Sequence, residues 1–100
     1  MKLREIAHSR TGDKGNISII SLIVYNIDNY EKIKNQVTAN RVKEWFKEIA
    51  FGEVKRYEIP SLGALNFVME NALGGGVTRS LAIDMHGKSL SSVLLDMEVI

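Results

Sequence analysis

His8, Ser9, Arg10, Thr11, Gly12, Asp13, Lys14, Gly15 and Asn16 form one unbroken polar run between two apolar stretches. Arg10 and Lys14 supply positive charge, while His8, Ser9, Thr11 and Asn16 supply directional hydrogen-bonding groups. Gly12 and Gly15 permit positive φ and a close approach of backbone to a ligand. Exposed amides in such a connection between strands make an anion-binding concavity, sized for a carboxylate or phosphate. Asp13 does not suit a plain anion hole, but it can steady Arg10 or Lys14, or accept from a ligand hydroxyl. The same residue types also build tight hairpins whose charges are simply solvated. His8 is a candidate acid or base, although a structural hydrogen bond is the simpler role.

A second candidate is Gly74, Gly75 and Gly76, followed by Thr78 and Arg79. One glycine satisfies a helix C-cap; the other two point to a sharp turn or a close approach. If this run meets the first, Arg10, Lys14 and Arg79 pool around one acidic group. Asn66 is polar inside the apolar stretch LGALNFVM and completes the ligand-binding set.

Other chemistries lack their signatures. The phosphate loop G-x-x-x-x-G-K-[ST] and the dinucleotide fingerprint G-x-G-x-x-G are missing. So is the G-x-S-x-G elbow, and Ser9 is adjacent to His8 but points to the opposite face if both lie on a strand. His8, Asp13, Asp84 and His86 form no compact metal motif. The residues imply no cofactor and name no reaction.

Composition sets the outer bounds. One hundred residues make one domain, 1–100, with 45% hydrophobic and 25% charged residues, an ordinary globular balance. A net charge of +1 gives no general field toward nucleic acid or a membrane surface. No RNP-like aromatic signature marks a sheet for RNA. The absence of cysteine fits a reducing compartment, and MKLREIAHSR lacks the apolar core of a signal peptide. A cytoplasmic protein is expected.

The elements that must position these groups follow from periodicity. A short strand opens at Leu3, Ile6 and Ala7 and stops at His8; residues 16–27, NISIISLIVYNI, make the central strand. Asp28 or Asn29 caps a short helix carrying Ile33 and Val37, and Thr38 caps a longer one over 39–50, ended by Gly52. Residues 53–59 alternate as an edge strand. Pro60 breaks it, and Ser61 caps a helix holding Leu62, Leu65, Val68, Met69, Ala72 and Leu73. Residues 80–85 read as a strand and His86-Gly87 as a turn. Ser89 then caps a short helix with Leu90, Val93, Leu94 and Met97, leaving 98–100 as a tail. The expected architecture is an α+β two-layer sandwich: about four strands, mostly antiparallel or mixed, with two main helices on one face and a short C-terminal helix. The other sheet face carries apolar side chains and must be hidden by the last helix, a second copy or another protein.

Three blocks, IAHSRTGDKGN, RYEIPSLGALNFVMENALGGG and SLAIDMHGKSLSSVLLDMEV, resemble the C-terminal domain of the acyclic terpene utilisation AtuA family. The resemblance covers nearly the whole chain and implies a ferredoxin-like fold. It implies a domain that in many members follows a much larger N-terminal domain, and in others is a separate small protein, the kind this chain is similar to. The implied setting is catabolism of branched acids or their coenzyme A thioesters.

Two functions are therefore open. The chain is an accessory subunit that lends its first polar run to a shared site or interface with an AtuA-type large subunit. Alternatively, it is a self-contained homo-oligomeric binding domain or enzyme acting on a carboxylate or acyl thioester such as an acyl-CoA.

Overall fold

A computed structural model describes residues 1–14, 17–46, 52–70 and 90–100, with Asp13, Lys14, Leu90 and Ser91 described by backbone alone. From His8 to Lys14 the first polar run is strand rather than loop, and Gly15 and Asn16 lie outside the described residues. Strand β1 spans Ala7–Lys14 and pairs antiparallel with β2, Ile17–Val24, through eight consecutive positions from Ala7↔Val24 to Lys14↔Ile17. A polar strand is tolerable there because β1 lies at an edge of the sheet among the described strands, where one neighbour suffices.

After β2, a 3-10 turn at Ile27–Asn29 leads into helix α1, Tyr30–Gln36, and Thr38 caps helix α2, Ala39–Trp45, by accepting from the Arg41 amide at 3.1 Å. Helix α2 ends at Trp45 with Phe46 as its C-cap, and positions 47–50 of the expected helix lie outside the described residues. Among the described strands β3, Val54–Ile59, takes the predicted edge position, since their order is β1-β2-β4-β3 with every neighbouring pair antiparallel.

The segment after Pro60 corrects the expected helix. Pro60–Leu62 makes only a 3-10 turn, closed by Gly63 at φ 62°, and Ala64–Glu70 is strand β4 between β2 and β3. Leu65, Phe67 and Met69 are fully buried at alternate positions, a period of two that the i, i+3 spacing of Leu62, Leu65 and Val68 disguised. Asn66 accordingly sits on a central strand. The short last helix, α3, spans Leu90–Leu94; its cap Ser89 and the expected strand 80–85 lie outside the described residues.

One cluster forms the core. Ile20, Leu22 and Val24 of β2 and Leu65, Phe67 and Met69 of β4 meet Ile33, Val37, Val42 and Phe46 from the α1 and α2 segments, with Leu94, Met97 and Val99 beside them. The chain ends are tied together: Leu3 donates to Met97 O at 2.9 Å, Val99 to Met1 O at 2.8 Å, and Arg4 pairs with Asp96. The tail thus makes a single bridge, Lys2↔Glu98, rather than a strand. The result is an α+β sandwich of a four-stranded antiparallel sheet and helices gathered on one face. Among the described residues no helix is long and apolar enough to cross a membrane.

Candidate functional site

Strand alternation decides which polar groups can converge. In β1, Ala7 is buried in the core, so Ser9 and Thr11 share its face. His8, Arg10 and Gly12 fall on the opposite face. The described part of the first run, His8 to Gly12, therefore divides its residues between the two faces of the sheet. Gly12 has no left-handed φ; among the described glycines only Gly63 does. Ser9 and Thr11 both have interaction partners.

On the face away from the helices, register aligns side chains into rows across the strands. Arg10 pairs with Ser21, Ser21 with Asn66, and Asn66 with Tyr57, giving a polar row roughly 14 Å long at the usual interstrand spacing of about 4.8 Å. His8, Ile23, Ala64 and Ile59 form the row on one side of it, and Gly12, Ile19, Val68 and Lys55 the row on the other. Ile19, Ile23, Ile59 and Val68 are half-buried and do not belong to the core cluster. Among the described residues no helix packs over them.

The edges are basic and aromatic. Arg10 and Lys55 are exposed, and neither pairs with a carboxylate among the described residues. The His8 ring stacks on Tyr25 with centroids 5.2 Å apart and planes 29° from parallel, while Tyr25 and Tyr57 stay 68% and 52% exposed. Among the described residues Glu70 is the acidic group on this face, opposite Ile17.

Of the residues expected to bind a ligand, the structure brings His8, Arg10, Gly12 and Asn66 onto one face and puts Ser9 and Thr11 on the other. Asp13 and Lys14 continue β1. Gly15, Asn16, Gly74, Gly75, Gly76 and Arg79 lie outside the described residues, as do Asp84 and His86. Ser21, Tyr57 and Tyr25 were missed, and the apolar outward face was expected without its isoleucines being named. Their signal was the run ISIISLIV, apolar on both of its faces as only a strand meant to be covered twice would be.

Chemically, this face offers a guanidinium, an ammonium, an amide and hydroxyls beside an apolar floor, a set suited to recognition. Among the described residues there is no group of three or more His, Asp or Glu able to hold a metal. Away from this face, under the helical layer, burial pushes the Tyr30 phenol up.

The sequence model of the AtuA ferredoxin-like domain family matches residues 1–100, the full length in hand. The chain belongs to the AtuA ferredoxin-like domain family. No curated protein and no solved structure matches it. The AtuA ferredoxin-like domain accordingly presents one helix-covered sheet face and one face bearing the Arg10–Tyr57 row.

Proposed function

We propose that residues 1–100 act as one accessory domain of an AtuA-type catabolic protein, in the cytoplasm, in the turnover of branched acids or their coenzyme A thioesters. The domain docks on the larger AtuA-type subunit through its open sheet face. It lends the His8–Arg10 edge of β1 to a site for anionic ligands at that boundary, the role first assigned to a loop.

The observation carrying this reading is the row of half-buried apolar residues outside the core, Ile23 and Ile59 on one side of the polar row and Ile19 and Val68 on the other. Side chains of this kind gain from being covered, and contiguous apolar surface marks interaction sites. Family membership supports the kind of partner, since the resemblance places such domains beside a much larger one.

Co-expression with an AtuA-type large protein tests it. Size-exclusion chromatography with light scattering is expected to show the two co-eluting. Ile19→Lys abolishes co-elution, and Lys43→Glu, at an exposed position of α2, leaves it intact. The reading fails if the proteins elute apart, or if Ile19→Lys has no effect. A homo-oligomer without the large protein supports the self-contained alternative.

A further inference from the structure

We draw no further inference here: the strongest candidate, the exposed apolar patch of Tyr25, Ile27 and Leu62 at the end of the sheet where the β2–α1 and β3–β4 connections meet, carries none because nothing in the structure shows what covers it.

Discussion

Arg56, on the inward face of β3, donates from Nη1 to the backbone oxygens of Lys34 at 2.6 Å and Val37 at 3.0 Å, which joins an edge strand to the end of α1. Its Nη2 reaches Glu58 Oε2 at 2.9 Å, with the Arg56 side chain only 18% exposed. The helix end otherwise leaves carbonyls unmatched. Arg56→Met keeps the aliphatic stem but removes the donors and strands Glu58, so urea unfolding should show a loss of about 1.5–3 kcal/mol. Arg56→Lys should recover less than half, because a lysine cannot reproduce the fork. A loss below about 0.5 kcal/mol for Arg56→Met would mean water serves those carbonyls equally well.

Tyr30 makes the opposite case. Its hydroxyl is buried and has no hydrogen-bond partner among the described residues. Burial first, and the Glu58 carboxylate second, raise its pKa from the ordinary 10.0, outweighing the lowering by Lys34 and Arg56. Above pH 10 the unfolded chain releases this proton while the folded chain keeps it, so stability falls as pH rises through 10 toward the folded value. Tyr30→Phe should leave neutral-pH stability unchanged or raise it by up to about 1 kcal/mol, and should flatten the alkaline decline relative to the parent. Parallel denaturation series at pH 7 and above pH 10 measure both; a destabilised Phe variant would reveal a partner for the hydroxyl.

These two sites show which parts of the fold were legible. Thr38 announced α2, and the Val54/Arg56/Glu58 alternation announced β3 at an edge, because a cap and a period of two are local signals. The 64–70 stretch misled because Leu62, Leu65, Val68 and Met69 satisfy a helical spacing as well as Leu65, Phe67 and Met69 satisfy a strand. Pairing with β2 and β3 then decides between them, and pairing is not written in the segment itself. β1 misled for a related reason: its polar residues read as a turn, whereas β2 supplies every backbone partner. His8, Arg10, Gly12 and Asn66 were nameable one at a time from residue type. The row that joins Arg10 and Asn66 through Ser21 needed the register.

Gly63 holds the turn that misled the reading. At φ 62° and ψ 40° it ends the Pro60–Leu62 turn in a left-handed conformation, and its carbonyl accepts from the Val24 amide at 3.0 Å. A Cβ there would lie 2.7 Å from Val24 Cγ2 and 2.8 Å from Ile27 Cδ1. Ile27 is 56% exposed and can yield; Val24 is buried and stiff at χ1. Gly63→Ala should therefore cost roughly 2 kcal/mol, about 10 °C in Tm for a chain of this size. An unchanged Tm in a thermal scan would contradict the conformation assigned to this turn.

Ile19 and Ile20 are adjacent and chemically identical, so they separate the two sheet faces without any difference in side-chain type. Ile20 is fully buried in the core cluster opposite Phe67, whereas Ile19 is half-buried beside Gly12 and Val68 and stands outside that cluster. Truncation at 20 removes packed methylenes and leaves a cavity; truncation at 19 leaves none that the core must close around. Ile20→Ala should cost about 2–5 kcal/mol and Ile19→Ala less than about 1 kcal/mol in the isolated chain. Once the open face is covered, the order changes: Ile19→Ala should then also weaken the complex, because its methylenes are dry only there. Matched urea titrations of both variants, with and without the large subunit, read the difference. Equal losses in the isolated chain would mean that both faces of β2 are core, leaving no open face for a partner to cover.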